Sequence, residues 1–172
     1  DLSGTDVTAI NVNLAGVLGT TAGDGVTDTV ITNGTNGDEL VDVFGSGTSV
    51  SVVGLAAQVN VTNNEGAFDS LVVGTLGGKD RIAATTLPAG VVLLTIDAGA
   101  GDDTLLGSQG ADVLLGGDGD DLVLGDAGSD LARMGAGDDV FQWDPGDGSD
   151  TIEGQAGIDR LMFSGSNASE AI

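Results

Sequence analysis

Acidic residues at a fixed nine-residue interval are the part of this sequence that could do chemistry. The chain reads AGAGDDTLL, GSQGADVLL, GGDGDDLVL, GDAGSDLAR and MGAGDDVFQ from residue 98 onward, and then, after the extra pair Trp143-Asp144, PGDGSDTIE and GQAGIDRLM. The sixth place of every unit is an aspartate, which gives Asp103, Asp112, Asp121, Asp130, Asp139, Asp150 and Asp159. Carboxylate oxygens are the ligands that a hard cation prefers.

Glycines occupy the places just before these aspartates. They are Gly99, Gly101, Gly110, Gly117, Gly119, Gly128, Gly135, Gly137 and Gly148. Because glycine tolerates positive φ, a glycine-rich segment can curl tightly and direct several carbonyl oxygens inward. Calcium accepts a flexible set of about six to eight oxygen ligands, whereas magnesium demands a strict octahedron. We therefore predict that the nine glycines and seven aspartates form metal sites, and that the metal is calcium.

The units resemble the GGxGxDxUx nonapeptide of the RTX (repeats-in-toxin) calcium-binding proteins. The resemblance implies an all-β fold, a right-handed parallel β-roll or β-helix solenoid whose short strands are joined by Gly/Asp-rich calcium-binding turns. Each unit would form half a coil. Units two apart would then stack on one edge, with Asp103, Asp121, Asp139 and Asp159 on one edge and Asp112, Asp130 and Asp150 on the other. The implied cofactor is Ca²⁺, with several ions, about three to five, between successive loops.

Stacked carboxylates oppose folding unless a cation lies among them. Coils stack at about 4.8 Å, and two unit charges at that distance repel by roughly 1 kcal/mol in water and about 3 to 4 kcal/mol at an effective dielectric constant near 20. A divalent ion reverses the sign of this interaction. We therefore predict that calcium binding and folding of the repeats are one event.

The eighth places predict which side chains fill the interior. One inner row would contain Leu105, Val123, Phe141 and Leu161, and the other Leu114, Ala132 and Ile152. Ala132 is the smallest member, so a larger side chain at this position should overpack the roll. Trp143 and Phe163 lie where the regular pattern fails, and we expect them to cover the end of the solenoid.

Residues 1–96 follow a longer period. Three pairs of segments recur at an offset of 41 residues: 12–15 with 53–56, 28–31 with 69–72, and 50–53 with 91–94. A repeat of this length is typical of a solenoid, and about four strands in each unit would make two coils. We expect three segments: a β-helical solenoid over 1–96, the calcium-binding roll over 97–162, and a C-terminal cap or tail over 163–172.

Two acids in the N-terminal segment align with the repeat aspartates. Residues 36–41 and 77–82 match residues 100–105, which places Glu39 and Asp80 at the position of Asp103. The pattern departs from the family there, because Lys79 and Arg81 flank one loop and Glu39 is one methylene longer than aspartate. The sequence leaves two interpretations open, further calcium sites or ordinary polar turns of a β-helix.

Composition narrows the classes of partner. The formal net charge is −23, from 27 acidic residues against four basic ones, which disfavours nucleic acid and anionic membranes and attracts cations. The chain has no cysteine, and it has no apolar run long enough to span a bilayer. A cysteine-free acidic chain that needs free calcium favours a secreted protein or a bacterial cell surface. Because the chain begins at Asp1, we expect it to be part of a longer protein.

Three functional hypotheses follow. The first, implied by the resemblance, is a non-catalytic module of a larger bacterial protein, exported by a type I system and folded by extracellular calcium. The second is an adhesin or matrix segment that binds a glycan or a cell surface. The third is a β-helical carbohydrate-active enzyme, which the sequence disfavours because it has no histidine and no tyrosine.

Overall fold

The chain folds into strands joined by tight turns. The computed structural model describes residues 6–17, 19–21 and 23–165, and these residues form fifteen β-strands and no helix. The strands are β1 (Ala9–Asn13), β2 (Thr29–Asn33), β3 (Leu40–Ser46), β4 (Ser49–Val53), β5 (Gln58–Thr62), β6 (Ser70–Gly74), β7 (Arg81–Ala83), β8 (Leu93–Ala100), β9 (Thr104–Leu106), β10 (Val113–Asp118), β11 (Leu122–Leu124), β12 (Leu131–Ala136), β13 (Val140–Trp143), β14 (Thr151–Ala156) and β15 (Arg160–Phe163).

Two mainly parallel sheets face each other across one core. The first sheet has nine strands in the order β1-β5-β4-β3-β7-β9-β11-β13-β15, and the second has six in the order β14-β12-β10-β8-β6-β2. From β8 onward, consecutive strands alternate between the two sheets, so each nonapeptide forms half a coil. The predicted all-β parallel solenoid is confirmed.

The predicted inner rows line the core. Leu105, Val123 and Phe141 stand beside one another in the first sheet. Leu114 and Ala132 do the same in the second, and all five side chains are buried. The interior also contains Ala98 and Met134, which are the first residues of two units. They lie there because strands β8, β10 and β12 continue past the end of one unit into the first places of the next. The sequence predicted strands of three residues, whereas β10, β12 and β14 have six.

Strand β4 departs from the parallel pattern. It pairs antiparallel with both β3 and β5. Gly47 and Thr48 form the two-residue connection between β3 and β4, and Gly47 has a φ of 61°. A two-residue loop that begins with a left-handed glycine matches the twist of a hairpin. The predicted two parallel coils per 41-residue unit are therefore wrong in this region.

The 41-residue offset holds for part of the N-terminal segment. Thr29 pairs with Ser70 and Leu40 with Arg81, each at that offset. Strand β1 instead pairs with β5 at an offset of 49 residues, as Ala9 stands beside Gln58. The hairpin of β3 and β4 explains the longer offset. The chain turns back through β4 before it forms β5, and β5 is the strand that lies beside β1.

The last described coil leaves inner-row side chains partly open. Ile152 is 37% exposed and Leu161 is 62% exposed. Trp143 and Phe163, which were predicted to cover this end, stack on each other with ring centroids 4.3 Å apart, and Phe163 stays exposed. Most of the predicted cap, residues 166–172, lies outside the described residues.

Candidate metal centre

Aspartates of successive coils form a hydrogen-bonded row along one edge of the solenoid. The backbone N–H of Asp103 donates to Oδ1 of Asp121 at 2.8 Å, and the N–H of Asp121 donates to Oδ1 of Asp139 at 2.8 Å. The N–H of Asp139 continues the row to Oδ1 of Asp159 at 3.2 Å. The parallel register imposes this arrangement, because each aspartate directly precedes a strand of the first sheet. The four aspartates that were predicted to share an edge do so.

A second row lies on the opposite edge, before the strands of the second sheet. The N–H of Asp112 donates to Oδ1 of Asp130 at 2.9 Å, and the N–H of Asp130 donates to Oδ1 of Asp150 at 3.0 Å. The last step spans 20 residues instead of 18, because the extra pair Trp143-Asp144 lengthens the preceding loop. The predicted placement of these three aspartates agrees with the structure.

One carboxylate oxygen of most row members has no hydrogen-bond partner. Oδ2 is buried and unpartnered in Asp103, Asp121, Asp130, Asp139 and Asp150. Four of these side chains are 2% exposed or less, and Asp150 is half-buried. An anionic oxygen without a donor or a cation is costly to bury. These atoms are where a cation would be stabilised most.

Asp112 differs from the other row members. Its Oδ2 accepts the backbone N–H of Ser108 at 2.5 Å, and its Oδ1 accepts the Ser108 hydroxyl at 2.9 Å. Both oxygens are therefore satisfied within the protein. Gly110, in the same loop, is also the one predicted site glycine that does not adopt positive φ. The loop of residues 107–112 is thus the least suited of the predicted sites to receive a cation.

The other loops share one backbone shape. Positive φ occurs at the second place, as in Gly117 at 112° and Gly135 at 112°, and at the fourth, as in Gly119 at 130° and Gly137 at 146°. The same holds for Gly99, Gly101, Gly128 and Gly148. A Cβ on Gly119 would collide with the carbonyl oxygen of Gly101, and one on Gly137 with that of Gly119. Each of these fourth-place carbonyls therefore faces the next coil, and the glycines make room for it.

Two loops achieve this shape without glycine at the second place. Asp126 has a φ of 64° and Gln155 a φ of 70°. Sequence reasoning did not identify these residues as part of the loops. Their register in the nonapeptide was the available signal, because both hold the place of Gly99.

Burial and the neighbouring carboxylates disfavour the charged form of several aspartates in the two rows. Burial raises the pKa of Asp121 to about 7 and that of Asp130 to about 7, with neighbouring row members adding to the effect. Burial also raises the pKa of Asp103 and Asp139. The described residues contain two ion pairs, Lys79–Asp102 and Arg133–Glu153, and both involve exposed side chains. Neither of these ion pairs involves an aspartate of the two rows.

Backbone oxygens would have to complete any metal site. Within the described residues, no three acidic side chains converge closely enough to hold an ion by themselves. Most of the loops instead combine one buried, unpartnered carboxylate oxygen with glycine carbonyls that face the next coil, which is an oxygen-only donor set suited to calcium. In the unit of Gly116 to Leu124, a Cβ on Gly116 would collide with the unpartnered Oδ2 of Asp121, so glycine keeps the space beside that oxygen open. The residues present therefore fit a calcium ion.

Comparison with known protein families identifies the repeats. The model of the RTX calcium-binding nonapeptide repeat family matches in four copies, over residues 95–132 and 144–162. No curated protein matches the chain. In the described part of the chain, no helix has the length and apolar character needed to cross a membrane. The unit around Asp139 falls between the matched segments, yet the structure places it in the same row as Asp121. Residues 95–162 thus contain RTX calcium-binding nonapeptide repeats, and the chain carries a calcium-binding module.

Proposed function

We propose that this chain is the calcium-binding module of a larger secreted bacterial protein, and that it folds on extracellular calcium after export. The unpartnered, buried Oδ2 atoms of the aspartate rows are the observation that carries the proposal. RTX repeats are typical of secreted proteins, which supports an extracellular location or a bacterial cell surface.

The proposed ligands follow the geometry of the loops. Asp103, Asp121 and Asp139 supply carboxylate oxygens on one edge, and Asp130 and Asp150 supply them on the other. Asp159 ends the first row. A Cβ on Gly154 would collide with Oδ2 of Asp159, just as a Cβ on Gly116 would collide with Oδ2 of Asp121. Carbonyl oxygens of the loop glycines complete the coordination. About three to five ions would be held between successive coils.

Calcium is proposed to act as a folding switch. Without it, the rows place like charges at strand spacing and bury them, which opposes the folded state. With it, the same carboxylates gain a partner of opposite charge, so binding free energy becomes folding free energy. Low calcium inside a cell would keep the segment unfolded for export, and higher calcium outside would fold it.

The module itself is proposed to be non-catalytic. The repeats bind calcium and are not catalytic in themselves. The whole chain contains four basic residues and no histidine, so it has no histidine acid or base and few groups for anion binding.

The test is a calcium titration of the chelated full chain. Calorimetry gives the number of ions, and far-ultraviolet circular dichroism in parallel follows sheet formation. We expect little sheet content in excess chelator and a cooperative gain as calcium is added, with magnesium at the same concentration much less effective. Equal sheet content with chelator and with calcium would refute the coupling of folding to calcium. Absence of calcium binding would refute the function.

A further inference from the structure

The first aspartate row does not end where the nonapeptides end. Leu40 pairs with Arg81, Arg81 with Thr104, and Thr104 with Leu122, all in parallel register. The acids that directly precede these strands therefore stand in one line. The N–H of Glu39 donates to Oδ1 of Asp80 at 2.7 Å, and the N–H of Asp80 donates to Oδ1 of Asp103 at 2.7 Å.

Asp80 resembles most of the repeat aspartates in having one carboxylate oxygen without a hydrogen-bond partner. Its side chain is 2% exposed, and its Oδ2 is buried without a hydrogen-bond partner. Burial, the larger effect, raises the pKa of this carboxyl, and the nearby Thr75 hydroxyl lowers it. The same hydroxyl donates to the Ala98 carbonyl at 2.9 Å. Asp69, which is equally buried, differs because both of its oxygens accept backbone N–H groups.

The backbone before Asp80 also has the shape of the calcium loops. Leu76 has a φ of 71° and Gly78 a φ of 125°, where the next coil has Gly99 at 96° and Gly101 at 132°. Leucine rarely adopts this conformation. A Cβ on Gly101 would collide with the Gly78 carbonyl oxygen, so this carbonyl faces the next loop as its counterparts in the repeats do.

The neighbouring basic residues do not neutralise Asp80. Lys79 is exposed, and its Nζ lies 3.9 Å from Oδ2 of Asp102, which is also on the surface. Arg81 is exposed as well. Within the described residues, neither side chain forms an ion pair with Asp80. The interpretation of this loop as an ordinary polar turn leaves the buried Oδ2 unexplained.

We propose that Asp80 is a ligand of a further divalent cation, held between the loop of residues 75–80, which lies outside the segments that match the RTX family, and the loop of residues 98–103, which belongs to the first matched segment. This inference rests on the proposed calcium-binding function. The ion joins the N-terminal strands β6 and β7 to the first coil of the repeats. Calcium therefore orders part of the N-terminal segment as well as the repeats.

The test counts calcium ions on the full chain by native mass spectrometry, with Asp80→Asn and Asp38→Asn compared with the wild type. Asparagine at position 80 keeps an acceptor for the Glu39 amide but lacks the second carboxylate oxygen. Asp38 is exposed, and its Oδ1 accepts the Lys79 N–H at 2.9 Å, so Asp38→Asn removes the same charge nearby. We expect Asp80→Asn to bind one ion fewer and Asp38→Asn to bind as many as the wild type.

An unchanged ion count in Asp80→Asn would overturn the inference, whereas a wild type without calcium would overturn the proposed function itself. If Asp80→Asn fails to fold, wild-type crystals soaked in terbium decide. An anomalous peak beside Asp80 Oδ2 supports the site, and peaks confined to the repeats overturn it.

Discussion

The amide of Asp103 and the carboxylate of Asp121 are joined by a 2.8 Å hydrogen bond, although 18 residues separate them in sequence. The bond uses Oδ1 and leaves Oδ2 buried and free. One oxygen of each such aspartate thus connects the coils, while the other is left for a cation. We therefore expect the same side chain to set both the stacking of the coils and their response to calcium.

Asp121→Asn separates these two roles. The amide oxygen can still accept the Asp103 N–H, but the second anionic oxygen is lost. We expect the calcium concentration at the folding midpoint to rise roughly tenfold, which corresponds to about 1.4 kcal/mol. Circular dichroism during a calcium titration measures it.

Asp120→Asn is the matched control for this change. Asp120 is adjacent and exposed, and its Oδ1 accepts the Asp138 N–H at 2.8 Å. The net charge changes equally, so we expect a midpoint close to that of the wild type. Equal shifts in the two variants would indicate a general charge effect and contradict a ligand role for Asp121.

The calcium-free protein should be more stable in acid than at neutral pH. Burial raises the folded-state pKa of Asp121 and of Asp130 from the ordinary value of 3.8 to about 7. Between these values the folded state binds more protons than the unfolded state, so stability falls as pH rises through the window from about 4 to about 7. The sheet content of the chelated protein at pH 5 and pH 8, followed by circular dichroism, measures this dependence.

In the presence of calcium, we expect stability to rise with pH instead of falling, because protons and calcium compete for the same oxygens. We expect calcium affinity to decrease as pH falls below about 7. In Asp121→Asn, part of the pH dependence of the chelated protein should disappear. A chelated protein that is more stable at pH 8 than at pH 5 would contradict the buried, unpartnered state of these carboxyls.

Gly119→Ala should damage the coil more than Gly146→Ala. Both glycines have positive φ, 130° and 116°, so either alanine is strained by about 1 to 2 kcal/mol. At Gly119, the added Cβ would also collide with the Gly101 carbonyl, whereas nothing lies within 4 Å of a Cβ on Gly146. Thermal unfolding in saturating calcium measures the difference. Equal losses in the two variants would mean that the carbonyl of Gly101 does not face Gly119 closely.

The nine-residue period was enough to predict the rows of aspartates, because a parallel register carries sequence spacing directly into stacking. It did not predict that Ser108 would satisfy both oxygens of Asp112, since that depends on which way one hydroxyl and one amide point. It also left the role of Asp80 open, because charge along the sequence does not reveal that the Lys79 side chain reaches Asp102 at the surface.

The N-terminal segment was predicted less well for a related reason. The two-residue loop at Gly47 turns the chain back on itself, and one such hairpin reverses β4 and shifts the partner of β1. A sequence period counts residues, but it does not distinguish a coil from a hairpin of similar length. The alternation of apolar residues in residues 40–53 fits both.

Ala132→Leu tests how tightly the interior is filled. Ala132 is fully buried, and it stands between Leu114 and Ile152 in the second sheet. Leucine adds three carbons at this fully buried position, so we expect a loss of about 1 to 3 kcal/mol in unfolding free energy. Ala136→Leu is the control, because Ala136 is exposed in the same strand, β12. Chemical denaturation in saturating calcium should show a lower midpoint for Ala132→Leu alone. If both variants keep the wild-type midpoint, the roll contains space beside Ala132 that its neighbours do not fill.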